Sequence, residues 1–363
     1  MRRVPVLIVG GGPAGSAAAI ALARGGVAAE LIERRAAPHD SVCGGFLGWD
    51  ALAELRRIGV DPPALGARPI GRLRLVAGRR TLETDLPYAA AGLSRRCLDE
   101  ALLTAAADAG ATIRRGVAAR AGEAAGAVRL GDGTGIMADA LILATGKYEL
   151  RGLARPLPGR RGEGAVGLRT SFLPDAETRA ALTGTIELHP FNGGYAGLLL
   201  QEDGRANLCM SVAAARLRRA GGIAALLDEL AQEAPRLGQR LGAAAGQAWL
   251  TISNVPYGWR ARPGPDRLYR VGDQAAVIAS LAGDGIAIAL ASGRAAAESC
   301  LNARAAPAYQ RRFHAQASRP LKVAQGLRWA AERPLPRRLL LGLARIAPSL
   351  AGTAAKLSRI RSG

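Results

Sequence analysis

The stretch Val4-Pro5-Val6-Leu7-Ile8-Val9-Gly10-Gly11-Gly12-Pro13-Ala14-Gly15 decides the fold, together with the Ala-rich run to Arg24, the pair Gly25-Gly26 and the segment Val27–Glu33. Val4–Val9 is an unbroken apolar run, as expected of a parallel strand covered on both faces. It is too short for a secretory signal core and stops at three glycines. Gly10, Gly12 and Gly15 form G-x-G-x-x-G. Gly10 suits a tight turn, Gly12 a close approach of backbone to a pyrophosphate, and Gly15 the packing of helix on strand. Pro13 fits a first helical turn, where its missing N–H costs nothing. Ala14 opens the helical run, and Gly25-Gly26 ends it. Free amides at the helix start attract phosphate. Glu33 follows Gly15 by eighteen residues. It stands with Arg34 at the tip of a second strand, where a carboxylate meets ribose hydroxyls and repels a 2′-phosphate. Strand, glycine turn, helix, strand and acid in this order predict a Rossmann-like α/β dinucleotide-binding domain.

Composition narrows the rest. The chain has 363 residues, 49% apolar and 21% charged, which suits a large core and argues against general disorder. Four cysteines without a CxxC pair exclude a disulfide framework and fit a reducing, cytoplasmic compartment. No run approaches about 20 uninterrupted apolar residues, so no transmembrane span is expected. Net charge is +20, almost all of it arginine. From Ala303 to Gly363 there are thirteen Lys and Arg against the single acid Glu332. Such a patch suits an anionic partner. With aromatics at 4% a base-stacking surface is thinly furnished, so no nucleic acid is expected. Within 334–363, Arg338 and Arg345 share one face among Leu339, Leu340, Leu341, Leu343 and Ile346. This is a basic amphipathic stretch broken at Pro348, and a candidate for peripheral contact with the inner face of a membrane. No segment specifies an oligomeric state.

A second signal lies far along the chain. Leu268–Asp273 reads as a short strand ending in Gly272-Asp273. Gly283-Asp284-Gly285 then feeds the apolar helix Ile286–Leu301, a second glycine turn at a helix start. The pairing resembles the FAD-dependent oxidoreductases of the aromatic-hydroxylase and geranylgeranyl-reductase superfamily. The resemblance implies that the first glycine turn holds the FAD pyrophosphate and Asp273 the ribityl chain. It places Gly283, Gly285 and Ile286 against the isoalloxazine. Leu93–Asp99 resembles the family's R-x-x-x-D helix start, whose arginine reaches FAD, here Arg95. Val42-Cys43-Gly44-Gly45 stands where the reductases carry a Cys-Gly beside the flavin. Ala144-Thr145-Gly146-Lys147-Tyr148-Glu149 matches the hydroxylases' A-D-G-x-x-S segment in its strand and glycine, and lacks the acid and the serine. Thr145 and Gly146 remain cofactor contacts by resemblance, and NAD(P)H is the candidate electron donor. Gly194–Leu200 and Gly204–Asn207 resemble the reductases' Y-x-W-x-F-P and G-x-x-N elements with the Trp, Phe and Pro replaced. No W-x-W-x-I-P of flavin halogenases is present.

The scattered motifs predict a discontinuous FAD-binding domain over 1–70, 93–155 and 265–302. A mainly antiparallel substrate domain over 71–92 and 156–264 is inserted into it, and a helical appendix covers 303–363. The alternation in Leu73–Val76 and Thr185–Leu188 supports strands in the insert. The flavin supplies the reaction and the protein supplies position. Two routes stay open, hydride delivery to a double bond with a nearby acid, or hydroxylation in a water-excluding pocket. Three residues are the catalytic candidates. Cys43 reads as a proton donor or as a small buried apolar residue. His189 has the side chain that titrates nearest neutrality, or is structural. Tyr195 is a pocket residue or a core tyrosine. Trp249 and Trp259 flank the cavity or fill the core. The function read from these features is an FAD-dependent oxidoreductase acting on a hydrophobic small molecule, prenyl, alkyl-phenolic or polyketide-like. The alternative is a non-catalytic module that holds flavin or associates with a membrane or nucleic acid.

Overall fold

A computed structural model describes residues 1–78, 80–157, 164–242, 244, 246–346 and 357–360. Of the basic stretch, Pro348 and the side chains of Arg345 and Ile346 lie outside the described residues. The opening motif folds as its sequence reads. The strand Arg2–Val9 runs into the helix Pro13–Arg24, and Ala29–Glu33 returns beside the first strand, parallel to it. Thr112–Arg115 pairs with Ala29–Glu33, Gly135–Leu143 with Arg2–Val9, and Leu268–Arg270 with the end of Gly135–Leu143, all parallel. The other half of Gly135–Leu143 carries the antiparallel hairpin of Ala127–Leu130 and Ala119–Gly122.

Side chains alternate across a strand, and the first strand shows what that buys. Val6 and Ile8 enter the core with the helices Pro13–Arg24, Arg95–Asp108 and Gly285–Leu301, while Leu7 and Val9 pack with Val128, Leu130, Leu150 and Leu153. Both faces are therefore dry, which explains the unbroken apolar run. The helices Pro13–Arg24 and Gly285–Leu301 lie so close that a Cβ on Gly293 would stand 2.1 Å from the Ala14 carbonyl oxygen.

The second sheet has eight strands. In spatial order they are Leu250–Val255, Ala165–Phe172, Ala206–Ala213, Gly194–Leu200, Thr185–Phe191, Arg68–Ala77, Arg80–Gly92 and Phe46–Leu47. Only the pair Thr185–Phe191 and Arg68–Ala77 is parallel. Ala196, Leu198 and Leu200 meet Leu226, Leu230, Leu237 and Leu241 from the helices Ile223–Glu233 and Pro235–Gly242. Tyr195, Gly197 and Leu199 point the other way, into a cavity shared with the first sheet. The C-terminus is helical, Ala306–Ala331 followed by Pro334–Ile346. The first of these passes Pro320 without ending.

Candidate active site

One cavity of about 710 Å³ runs from the carboxyl ends of the parallel strands to the inner face of the second sheet. That is where open α/β sheets bind ligands. At one end lie Gly10, Gly12, Pro13, Ala14, Glu33 and Arg34. Gly10 has φ +113°, and a Cβ there would stand 2.4 Å from the Ala144 carbonyl oxygen. Gly15 is not in the wall. Its missing Cβ makes room for the Gly10 carbonyl oxygen, 1.9 Å from where that Cβ would stand. Helix-on-strand contact is thus the part Gly15 plays. Glu33 accepts hydrogen bonds from the amides of Gly11 at 2.8 Å and Arg35 at 2.9 Å, which fixes the carboxylate at the cavity edge. The Arg34 guanidinium lies 3.9 Å from the centre of the Tyr148 ring.

In the middle stand Arg95, Cys43, Gly44, Thr145, Gly146, Gly272 and Asp273. Ser94 caps the helix Arg95–Asp108 by accepting from the Cys97 amide. This cap starts the helix at Arg95, whose guanidinium makes two 2.7 Å bonds to Asp99 one turn on. Burial opposes the charge of Arg95, but Asp99 and then Cys43 facing it hold its pKa above the ordinary range. Asp273 forms a 3.1 Å ion pair with Lys147. Arg155 bonds the backbone oxygens of Asp273 at 2.9 Å and Lys147 at 3.1 Å, tying the two loops together.

At the far end Gly283, Gly285 and Ile286 meet an apolar chamber walled by Leu73, Leu75, Leu86, Ile186, Leu188, Leu199 and Ile252. Tyr195 stands where the two parts join. Its hydroxyl accepts from the Leu281 amide at 3.0 Å and pairs with Ser280, whose hydroxyl also meets that of Tyr257 at 2.9 Å. Burial pushes the Tyr195 phenol well above its ordinary pKa, so it stays protonated at neutral pH. Burial likewise pushes the Cys209 thiol, also in the wall, up to about 12.

His189 does not join this group. It lies on the strand Thr185–Phe191 with Glu187, on the face away from the cavity, while Ile186, Leu188 and Pro190 face the cavity. Period-two alternation separates it from the chamber. Its Nε2 contacts Glu187 at 2.8 Å, and it is 1% exposed. Burial works against the Glu187 charge, but His189, Arg240 and Arg74 hold its carboxyl below the usual range. A depressed carboxyl pKa stabilises the fold above the unfolded value of about 4.3 and loses that contribution as pH falls below it. Glu187→Gln, which leaves Arg240 without a carboxylate and Arg74 with Glu83 alone, should cost about 3 kcal/mol at neutral pH. It should also flatten the acid side of the stability curve, as read by urea unfolding between pH 3 and 7. An unchanged acid slope would refute the assignment.

Trp249 packs with the core behind the second sheet, and Trp259 with Ala165, Val255 and Val277. Neither lines the cavity. Sequence reasoning missed Tyr257, Ser280, Cys209 and Arg155. Asn207, noticed only for its resemblance, donates to the carbonyl oxygens of Cys43 at 3.2 Å and Gly44 at 2.8 Å. Its own side-chain oxygen accepts from Arg169 at 2.7 Å. Asn207 thereby holds the Cys43 loop against the second sheet.

The cavity fits an elongated dinucleotide. Gly44, Gly146 and Gly285 line it with no atom within 4 Å of where a Cβ would stand, so each leaves a cradle at the wall. A family profile described as FAD binding domain matches residues 3–136. The chain is an FAD-dependent oxidoreductase. Over 121 residues it is 36% identical to the chloroplastic geranylgeranyl diphosphate reductase of Oryza sativa, across 32% of this chain and 25% of that one. The flavoenzyme is 28% identical over 314 residues to the menaquinone reductase of Mycolicibacterium smegmatis, across 82% of this chain and 76% of that one. It shares its fold with a geranylgeranyl bacteriochlorophyll reductase-like protein from Thermoplasma acidophilum. The TM-score there is 0.69 at 20% identity, over 98% of this chain and 100% of that one. It shares it also with pqsL, a probable FAD-dependent monooxygenase from Pseudomonas aeruginosa. That match has TM-score 0.72 at 17% identity, over 92% of this chain and 98% of that one. Among the described residues of the flavoenzyme no helix is long and apolar enough to cross a membrane.

Proposed function

We propose that the flavoenzyme saturates a carbon–carbon double bond in a polyprenyl chain, such as that of a prenylated quinone. The observation that carries this reading is the continuity of the cavity, in which an apolar chamber opens onto Tyr195, Cys43 and the Gly283–Gly285 turn. A leucine-walled chamber favours a hydrocarbon and excludes water. The similarity to menaquinone reductase extends over most of the chain and favours reduction over hydroxylation.

Gly10–Gly12 and the start of the helix Pro13–Arg24 would hold the FAD pyrophosphate, and Glu33 a ribose. Asp273 would hold the ribityl hydroxyls, with Lys147 setting its orientation. FAD at this place supplies an electron pair as hydride, with NADH or NADPH the candidate donor. The protein supplies the other half of the addition. Tyr195 keeps its phenolic proton at the chamber wall, and Ser280 and the Leu281 amide fix its oxygen. Asn207 sets the height of the Cys43-Gly44 backbone between the two regions. In this reading residues 1–70, 93–155 and 265–302 form the cofactor unit, and 71–92 with 156–264 the substrate unit. Strand Phe46–Leu47 and residues 68–70 reach across between them. Segment 334–363 makes the membrane contact from which a hydrophobic substrate arrives.

The test is anaerobic. The protein is reduced by NADH, NADPH or dithionite and mixed with a polyprenyl quinone. The expected result is return of the oxidised flavin spectrum together with a product that, once its ring is reoxidised to the quinone, is still heavier by two hydrogens in the prenyl chain. Turnover that requires oxygen and adds one oxygen atom to the product would replace saturation by hydroxylation.

A further inference from the structure

The helices Ala306–Ala331 and Pro334–Ile346 carry an apolar surface that the other described residues leave uncovered. Trp329 is 53% exposed, and Leu335, Leu339 and Leu343 are 71%, 69% and 55% exposed. The three leucines recur every fourth residue of the helix Pro334–Ile346 and so share one face. Arg333 and Arg338 are exposed around them, and the Arg333 guanidinium lies 5.0 Å from the centre of the Trp329 ring. Glu332 is taken by Arg328 at 2.6 Å, and Glu233 lies on the inward side near Arg337. The opposite side of the helix turns inward. Leu341 is buried, and Arg337 bonds the Asn192 side-chain oxygen at 3.2 Å. Leu340, Leu341 and Leu343 also form part of the cavity wall. One short helix therefore has an uncovered leucine face and an edge of the cavity, which meet at Leu343.

We propose that this face docks on an anionic lipid bilayer, and that the prenyl chain passes from the bilayer into the cavity beside Leu340 and Leu343. The docking deepens the membrane contact proposed above by naming the residues that make it, and the route of the prenyl chain rests on the reductase reading. Exposed leucines seat at the level where acyl chains begin, a tryptophan sits at the headgroup boundary, and arginines meet lipid phosphates. A second copy of the chain is a poorer occupant. A two-fold pairing of this face would bring Arg333 and Arg338 against the arginines of the other copy.

The test uses the full-length holoenzyme and vesicles of phosphatidylcholine with or without phosphatidylglycerol. Co-sedimentation should be at least about tenfold greater with the anionic vesicles and should weaken with salt. Leu335→Ser with Leu339→Ser should lower the partition coefficient by about tenfold or more. The pair should raise KM for a quinone embedded in vesicles and leave kcat for a short-chain, water-soluble quinone unchanged, since neither residue touches the cavity. Equal sedimentation of wild type and variant would overturn the docking surface. So would a wild-type dimer in light scattering that the two serines dissociate. Vesicle binding without turnover of any quinone would leave the docking surface standing and sink the reductase reading, so the two failures are distinct.

Discussion

Gly285→Leu should leave the protein folded and weaken its hold on flavin. Gly285 is the first residue of the helix Gly285–Leu301, and nothing stands within 4 Å of where its Cβ would lie. It has no positive φ. A Cβ there meets only open space, and leucine is a better helix former than glycine by up to about 1 kcal/mol. Thermal stability of the apoprotein should therefore hold or rise slightly. The side chain would occupy the space that the account gives to the isoalloxazine. Overfilling a packed site costs about 1–3 kcal/mol, which raises the Kd for FAD by about tenfold to a hundredfold. Flavin titration of the apoprotein reads this directly. Gly15→Ala is the contrasting variant. Its Cβ would stand 1.9 Å from the Gly10 carbonyl oxygen, so fold and flavin should be lost together. Full FAD affinity in Gly285→Leu would move the flavin elsewhere.

Tyr195→Phe should lower kcat for double-bond saturation by about a hundredfold, the lower range of a positioned proton donor. FAD occupancy and KM should change little, since the ring keeps its place in the wall. Burial keeps the phenol protonated, so the wild-type rate should not fall on the basic side through this group near neutral pH. Tyr257→Phe, one hydroxyl further along the Ser280 bridge, should have a smaller effect. An unchanged kcat in Tyr195→Phe would assign the proton to another group, and Cys43 would be the next variant to make.

The glycine-turn end of the cavity was legible because its geometry is local. Gly10, Gly12, Pro13 and Glu33 stand within one strand–helix–strand unit, where the turn selects glycine, the helix start admits proline and the strand tip carries the carboxylate. The reading of Gly15 as a packing position survives for the same reason, since the Gly10 carbonyl fills its missing side chain. The substrate end was legible only in outline. His189 was drawn to the site by its titration range, whereas strand parity decides which way it points, and parity depends on the pairing of Thr185–Phe191 with its neighbours. Tyr195 sits on the next strand with the opposite outcome. Ser280, Tyr257 and Arg155 carry no motif. They matter because distant loops converge on them, and sequence spacing does not encode that convergence. The basic tail was visible as charge. The leucine face and the cavity edge were not, because helical phase relative to the rest of the molecule is set by tertiary packing.

The most direct test of the central claim is the absorption spectrum of the purified protein, before and after anaerobic addition of NADH, NADPH or dithionite, with the released cofactor identified after denaturation. A two-band flavin spectrum, FAD as the released species and bleaching by one of the three reductants are expected. A protein that shows no flavin bands, even after incubation with excess FAD, would contradict the assignment built on Gly10, Glu33, Asp273 and Gly285.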